Sequence, residues 1–268
     1  MMGKLASFEN DIDFPRLWRI GFAVSAALLV LSVGALFGRG LNLGIDFEGG
    51  TSWEIEAPGV SVSDTRDALG AADASDAKIQ IVGADIVRVQ AEPDDEAAQE
   101  AVSAVLAELA DVDDSEVSVS TVGPTWGDEI SSKALRALIF FFVIVSAYIA
   151  IRLEWKMAIG ALAAVAHDLV ITVGIYALFQ FEVTPATVIA ILTILGYSLY
   201  DTIVVYDKVK ANADNPAVAQ KMPYTDMMSL SLNQVLMRSL NTTITSLLPV
   251  LAMLVVGSFL LGAVTLQE

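Results

Sequence analysis

The chain has 268 residues, 55% of them hydrophobic, and a mean hydropathy of +0.62, yet its formal net charge is −17. It has no cysteine, a single histidine and no GxxxxGK[ST] loop, which excludes disulfides and cysteine nucleophiles and argues against zinc binding and ATP hydrolysis. We therefore expect a protein that is not an enzyme and needs no metal or other cofactor.

Five apolar stretches are long enough to cross a bilayer, which takes about 20 residues of helix. They are Leu17–Phe37, Ala134–Ile151, Met157–Phe179, Thr184–Tyr206 and Ser239–Gly262. Basic residues are concentrated in the segments that lie inside if the N-terminus is cytoplasmic, and the first stretch is too long for the apolar part of a signal peptide. The sequence predicts an α-helical, multi-pass protein of the cell membrane with a cytoplasmic N-terminus.

The long insertion between the first two stretches, residues 39–130, holds 21 acidic and 4 basic residues, so its balance of −17 equals that of the whole chain. Such a surface repels nucleic acid and anionic lipid headgroups, and we expect no nucleic-acid partner. Because Lys78 is its only lysine, we interpret the insertion as the solvated acidic surface of a halophilic protein. An ordinary solvated surface and a specific cationic ligand are the alternatives.

Periodic patterns divide this insertion into the elements of a small α+β domain. The predicted strands are Thr51–Glu56, Lys78–Val82, Ile86–Gln90 and Val117–Val122, and the predicted helices are Val62–Ala71 and Asp94–Leu109. Ser61 or Ser63 is expected to cap the first helix, and Asp94, Asp95 and Glu96 open the second. The order β-α-β-β-α-β predicts an extracytoplasmic ferredoxin-like domain.

These patterns divide the chain into three parts. Residues 1–38 contain the cytoplasmic N-terminus and the first membrane helix, and residues 39–130 form the extracytoplasmic domain. Residues 131–268 contain membrane helices two to five, with a cytoplasmic loop near 208–237. Within the helices, Gly160, Gly174 and Gly196 are expected to permit close helix packing.

A glycine-rich segment with the sequence GIDFEGG joins the first membrane helix to the domain, from Gly44 to Gly50. Its adjacent glycines permit positive φ angles, so a tight turn from helix to strand, with Asp46 exposed, is one explanation. The segment also resembles the GxDFxGG signature of the SecD and SecF families. The match is complete at the five signature positions, Gly44, Asp46, Phe47, Gly49 and Gly50.

The fourth apolar stretch contains the sequence GYSLYDTIVVYDK, residues 196–208. It is similar to the GYSxxDT segment of SecF proteins, with departures at Tyr200, where the family often has a small polar residue, and at Lys208. The matching residues are Gly196, Tyr197, Ser198, Asp201, Thr202 and Asp207.

Two further segments carry the same resemblance. His167 and Asp168 in the third stretch look like the His-Asp pair of the family, and the segment that starts at Arg238 resembles its R-[ST]-x-N-T sequence. The four motifs occur in the family's order, with the soluble domain in the family's position. The resemblance therefore covers residues 17–262.

Asp201 is a functional candidate on physical grounds, because a carboxylate inside a membrane helix is costly to retain. Arg238 opens the next stretch from the same side, and we expect the two side chains to meet across a helix interface. Burial disfavours the charged carboxylate whereas a guanidinium favours it, so Asp201 could take up and release a proton. With His167 and Asp168, these residues form the predicted proton relay. A static ion pair that fixes helix register is the alternative.

What the resemblance implies is a SecF-like subunit of the Sec export machinery, of an archaeal and specifically haloarchaeal type. Its partners would be a SecD-like subunit, the SecYE translocon, the exported polypeptide and membrane lipid, and the proton gradient would drive it. The family has six membrane helices, so residues 262–268 are expected to form the loop before a sixth. Two other functions stay open: a scaffold that stabilises the translocon without proton flow, and half of a small-molecule exporter of the same superfamily.

Overall fold

The computed structural model of the chain describes residues 12–82, 85–93 and 95–256. In chain order its elements are α1 (Phe14–Arg39), β1 (Asn42–Leu43), α2 (Ile45–Glu48), β2 (Gly50–Glu56), α3 (Val62–Leu69), β3 (Lys78–Val82), β4 (Ile86–Ala91), α4 (Glu96–Ala110), β5 (Ser118–Val122), α5 (Pro124–Arg152), α6 (Trp155–Phe179), β6 (Glu182–Val183), α7 (Pro185–Ala213), α8 (Pro216–Ala219) and α9 (Tyr224–Val256).

Helices α1, α5, α6, α7 and α9 are long and apolar enough to cross a membrane, and within the described residues they are the five that are. This confirms the five predicted stretches. The helices extend beyond the apolar residues, and α9 begins at Tyr224 rather than Ser239. Backbone hydrogen bonding continues through polar turns, so hydropathy marks only the apolar middle of each helix. The end of the fifth stretch, at Gly262, lies outside the described residues.

Strands β2 to β5 form a four-stranded antiparallel sheet in the order β3-β4-β2-β5. With α3 and α4 this is the ferredoxin-like topology that the sequence predicts. One face of the sheet packs on the two helices around a buried core of large side chains, which includes Trp53, Val87, Val89 and Leu106. The indole N–H of Trp53 donates to the hydroxyl of Ser103 on α4 at 3.0 Å, so this large buried ring leaves no polar atom unsatisfied.

Both domain helices begin with a side-chain cap, as predicted. Ser61 caps α3 in a reciprocal capping box: its hydroxyl accepts from the Asp64 N–H at 3.2 Å, and the Asp64 carboxylate accepts from the Ser61 N–H at 3.1 Å. Hydrogen bonds from the side chain and backbone of Ser61 lower the pKa of the exposed Asp64 carboxyl below its usual value. Asp95 caps α4 by accepting from the Ala98 N–H at 2.8 Å, and Asp94 lies outside the described residues.

The glycine-rich segment forms the short strand β1 and the single helical turn α2 before the sheet begins. Gly49 and Gly50 have φ angles of 85° and 106°, which only glycine adopts without strain. A Cβ atom at Gly50 would also lie 2.9 Å from the carbonyl oxygen of Ala91. The predicted turn is therefore confirmed. Asp46 is partly buried rather than exposed, because the turn is helical.

Small residues bring the membrane helices into close contact at two of the three expected positions. A Cβ atom at Gly174 of α6 would overlap Ser32 of α1, and one at Gly160 would overlap the Tyr206 hydroxyl of α7. The expectation for Gly196 is wrong, because a Cβ atom there would meet no described atom within 4 Å.

The chain forms two compact units. The sequence does not indicate that the segment between α6 and α7 belongs to the ferredoxin-like unit. The membrane unit contains residues 138–180 and 189–252 together with α1, whereas the ferredoxin-like unit contains residues 42–137 together with 181–188. The latter segment joins α6 to α7, and its strand β6 pairs in parallel with β1, Asn42 opposite Glu182. The predicted division at residues 38 and 130 stays a prediction.

Candidate functional site

A chain of side-chain hydrogen bonds crosses three helices of the membrane unit. Nε2 of His167 lies 2.5 Å from the hydroxyl of Ser25 on α1, and Nδ1 lies 3.0 Å from Oδ1 of Asp168. The hydroxyl of Ser198 on α7 donates to Oδ2 of the same carboxylate. A neutral imidazole with its proton on Nδ1 satisfies every contact, since it then donates to Asp168 and accepts from Ser25. We call these four residues the polar chain.

His167 and Asp168 are adjacent on α6 and extend the polar chain to two different helices, because their side chains point in different directions. Successive residues of a helix are about 100° apart, so His167 reaches α1 while Asp168 reaches α7. Helix geometry therefore directs the two side chains to different neighbouring helices. Their side chains are 31% and 36% exposed in the isolated chain.

Apolar packing holds the helices around the polar chain. Ile149 of α5, Val165 of α6 and Leu195 of α7 are fully or almost fully buried in one cluster. One turn beyond the polar chain, the hydroxyls of Thr172 and Thr202 bond the carbonyl oxygens of residues 168 and 198 on their own helices. Each of these hydroxyls donates to the backbone of its own helix, so neither is part of the polar chain.

Asp201 does not meet Arg238, so the predicted contact is wrong, and the role of the two residues in a proton relay stays a prediction. Among the described residues, the Asp201 carboxylate has no hydrogen-bond or ion-pair partner, and it is half-buried. Arg238 instead donates from Nη2 to the Tyr200 hydroxyl at 2.8 Å, and its guanidinium lies 5.9 Å from the centre of the Tyr200 ring. Adjacent residues of α7 point about 100° apart, and α9 presents Arg238 on the Tyr200 side.

Arg238 lines two open clefts of the membrane unit. One, of about 430 Å³, also contains Tyr200 and the motif residue Asp207, which pairs with Arg152 of α5 at 3.6 Å. The other, of about 890 Å³, runs between α7 and α9 and is lined by Tyr197, Arg238 and several amide and hydroxyl side chains. The structure thus brings Asp207 and Arg238 together in one cleft, whereas Asp201 does not line it.

The glycine-rich motif belongs to the ferredoxin-like unit, where its residues have structural roles. Phe47 is buried, and its carbonyl oxygen accepts a long hydrogen bond of 3.4 Å from Ser131. Gly44 donates its N–H to the carbonyl oxygen of Val183 at 3.0 Å. A Cβ atom at Gly44 would lie 2.6 Å from Oε1 of Glu182, so a larger residue there would displace that carboxylate.

Sequence reasoning missed two participants. Ser25 is one of only two hydroxyls in the first apolar stretch, and a hydroxyl in such a stretch is a signal for an interhelical hydrogen bond. Tyr200 departs from the family pattern, so the resemblance does not indicate it as a partner of Arg238. In the described part of the chain, no three His, Asp or Glu side chains are grouped as metal ligands.

Comparison with known proteins gives one consistent family. A family described as the C-terminal region of the protein export membrane proteins SecD and SecF matches residues 101–267, and the SecD/SecF GG motif matches residues 34–57. The chain is 39% identical over 266 residues to a protein translocase subunit SecF of Streptomyces coelicolor and 39% identical over 267 residues to one of Mycobacterium tuberculosis. It covers 71% and 59% of those relatives, which in turn match 99% and 94% of the chain. Both relatives are bacterial, so the haloarchaeal and halophilic assignments stay predictions.

The fold matches a solved structure of the same family. A crystal structure of SecDF, a translocon-associated membrane protein from Thermus thermophilus, superposes with a TM-score of 0.84 at 31% sequence identity. The match covers 93% of this chain and 34% of that one, so the chain spans about a third of the SecDF polypeptide.

Proposed function

Because this chain belongs to the SecD/SecF family of protein-export membrane proteins, we propose that it is a SecF-like subunit of the Sec protein-translocation machinery. It acts with a SecD-like subunit at the SecYE translocon and assists the export of polypeptides, driven by the proton gradient. Its N-terminus is cytoplasmic, the ferredoxin-like domain is extracytoplasmic, and the membrane helices contact lipid.

The observation that carries the proton-driven part of this proposal is the polar chain. Ionisable and hydroxyl side chains within a bilayer are costly and are retained where they pair or conduct. Here an imidazole bridges a hydroxyl of α1 and a carboxylate of α6. A proton delivered to Nε2 of His167 lets the ring release its Nδ1 proton to Asp168, so the charge crosses the ring without any large movement.

Ser198 connects this transfer to the helix of Asp201. Its hydroxyl stabilises the Asp168 carboxylate at the oxygen that the imidazole does not use. Asp201 lies three residues further along α7, a rise of about 4.5 Å on roughly the same side of the helix. Its carboxylate has no partner among the described residues and is the next proton acceptor. Arg238 supplies a fixed positive charge on α9, held by Tyr200 in the resting arrangement.

The energy available to such a relay is sufficient for mechanical work. Moving one elementary charge across a membrane potential of 100 mV is worth about 2.3 kcal/mol. A few protons per cycle therefore supply several kcal/mol, which is comparable with the coupling energies of conformational transitions, about 1–3 kcal/mol.

The test uses the chain together with its SecD-like partner in membrane vesicles, with partner co-purification and gradient-dependent export measured in the same membranes. Asp168→Asn and Asp201→Asn are close in shape to the native residues but cannot ionise. We expect both to abolish gradient-dependent export while the complex still assembles. Asp214→Asn, at an exposed aspartate after α7, is the matched control and should export normally.

A scaffold without proton flow predicts a different order of effects. In that case the aspartate variants either lose the partner first, with export falling as a consequence, or they export normally. Normal export by both variants would remove proton relay from these residues, and the scaffold function would then be the better explanation.

A further inference from the structure

A buried carboxylate on the segment between α6 and α7 is held by the sheet of the ferredoxin-like unit. The side chain of Glu182 is only 8% exposed. Its Oε2 accepts from Nη1 of Arg88 at 2.7 Å, and its Oε1 accepts from Nε2 of Gln90 at 2.7 Å. Both partners come from β4, although 92 or more residues of chain separate them from Glu182. Glu182 lies in the same compact unit as this strand.

The alternation of side chains along β4 explains why Arg88 and Gln90 are both available to bind Glu182. Successive side chains of a strand point to opposite faces, so Val87 and Val89 enter the helix-covered core while Arg88 and Gln90 stand on the other face. Arg88 is directly opposite Glu54 of β2, and its Nε donates to that carboxylate at 2.7 Å. One guanidinium therefore bridges a carboxylate of the sheet and the carboxylate of the α6–α7 segment, a geometry that its planar fork permits.

The glycine-rich motif completes the enclosure of this carboxylate. Gly44 lies so close that a Cβ atom there would stand 2.6 Å from Oε1 of Glu182. The Gly44 N–H also donates to Val183, next along the segment, and β1 pairs with β6 at this point. The Glu182 carboxylate is thus surrounded by the Arg88 guanidinium, the Gln90 amide and the backbone of Gly44. A shift of the carboxylate would change all three contacts.

The start of α7 follows directly from Glu182. Thr184 and Thr187 cap the helix reciprocally, with each hydroxyl accepting from the other residue's N–H at 3.3 and 3.2 Å. From Pro185 the helix continues without a break through Ser198 and Asp201. A displacement of residue 182 is therefore passed to the first turn of the helix that carries the proposed proton path.

We infer that the Arg88–Glu182 pair is the positioning contact that ties the start of α7 to the sheet of the ferredoxin-like domain, so that the domain and this helix shift together. Glu182 and Arg88 act through α7 and touch no transported proton. We call this contact between β4 and the α6–α7 segment the tie. Its role in coupling rests on the proposed function, whereas the existence of the contact does not.

The tie is tested by amide hydrogen exchange on the whole chain in complex with its partner. Glu182→Gln removes the charge at nearly constant shape, and Arg88→Met removes the guanidinium. We expect exchange in residues 42–50 and 181–188 to rise about tenfold in both variants, while exchange in α4 stays unchanged. Arg66→Met and Glu56→Gln, at exposed positions of the same domain, are the matched controls and should leave all three regions unchanged.

Gly44→Ala gives an independent variant that alters no charge. Its methyl group displaces the Glu182 carboxylate from its two donors, so it should reproduce the faster exchange of Glu182→Gln. Gly70→Ala is its control, because a Cβ atom at Gly70 meets no described atom within 4 Å. Arg88→Lys should fall between wild type and Arg88→Met, since an ammonium group can reach one of the two carboxylates but cannot bridge both.

Export in the same membranes decides the coupling role. We expect gradient-dependent export to fall about tenfold in Glu182→Gln, Arg88→Met and Gly44→Ala, while the complex still assembles. Unchanged exchange would overturn the tie, and equal loosening of α4 would reduce the pair to a folding contact of the domain. Faster exchange with normal export would overturn the coupling role. If the proposed function is wrong, the wild-type protein will show no gradient-dependent export. In that case hydrogen exchange still tests the Arg88–Glu182 contact, independently of export.

Discussion

Arg238 donates a hydrogen bond to the Tyr200 hydroxyl at 2.8 Å and lies over the same ring, one residue away from the carboxylate that the sequence assigns as its partner. The helix pair is the predicted one, α7 with α9. The difference of one residue leaves Asp201 without an ion pair among the described residues.

Tyr200→Phe tests whether this contact positions Arg238. The variant keeps the ring under the guanidinium but loses the hydroxyl, so Arg238 is held less firmly. We expect gradient-dependent export to fall by a factor of about 2–5, because a partly exposed cation–π contact of about 0.5–1 kcal/mol remains. Tyr148→Phe is the control: Tyr148 lines the same cleft. An equal effect of both variants would mean that the cleft, rather than the Arg238 contact, is what matters.

Ser198→Ala tests the last link of the polar chain. It removes the hydroxyl that donates to the Asp168 carboxylate, and a hydrogen bond to a charged group contributes about 1.5–3 kcal/mol. We expect a loss of gradient-dependent export of roughly tenfold or more, since 1.4 kcal/mol corresponds to a factor of ten. Thr202→Val is the control on the same helix, because that hydroxyl bonds only its own backbone. If Thr202→Val is as harmful as Ser198→Ala, the polar chain is not the path.

Gly174→Val should separate α1 from α6. The larger side chain overlaps Ser32, and overpacking of this kind costs about 1–3 kcal/mol. Thermal unfolding in detergent should show a lower midpoint for Gly174→Val. Gly196→Ala should show no loss, because a Cβ atom there meets no described atom within 4 Å and alanine favours helix over glycine by about 1 kcal/mol. A lower midpoint for Gly196→Ala would show that a neighbouring group does contact this face of α7.

Asp64 gives the ferredoxin-like domain a pH-dependent helix cap. Its pKa is lowered in the folded state by hydrogen bonds from Ser61, so folding favours the ionised form. The stabilisation is present above the ordinary carboxyl pKa and is lost as the pH falls through the lower folded value. The unfolding midpoint of Asp64→Asn should therefore lie below that of wild type at neutral pH, and the two should converge in acid. A difference that stays constant down to acidic pH would exclude this cap as its source.

Membrane orientation is tested with single cysteines, since the native chain has none. Cysteines placed at Asp95, in the acidic domain, and at Asn215, after α7, should react with an impermeant reagent from opposite sides of the membrane. The expectation follows from the distribution of basic residues. Labelling of both positions from one side would refute the proposed topology.

The sequence alone determined the features that depend on local pattern. Apolar length defined the five membrane helices, alternation defined the strands of the ferredoxin-like domain, and Ser61 was a recognisable cap. His167 and Asp168 were recognised through their resemblance to the His-Asp pair of the SecF family, which lies within one apolar stretch. Each of these signals lies within one stretch of chain, where helix and strand periodicity fix which residues share a face.

Only the tertiary structure decided which side chains meet. Ser25 and Ser198 join the His-Asp pair because α1 and α7 contact α6 in two directions about 100° apart. Arg238 meets Tyr200 rather than Asp201 for the same reason, since a helix rotates by about 100° per residue. The Arg88–Glu182 pair joins residues 94 positions apart. Partner choice depends on the relative rotation of packed elements to within one residue, and that rotation follows from the summed packing of many side chains rather than from any single segment.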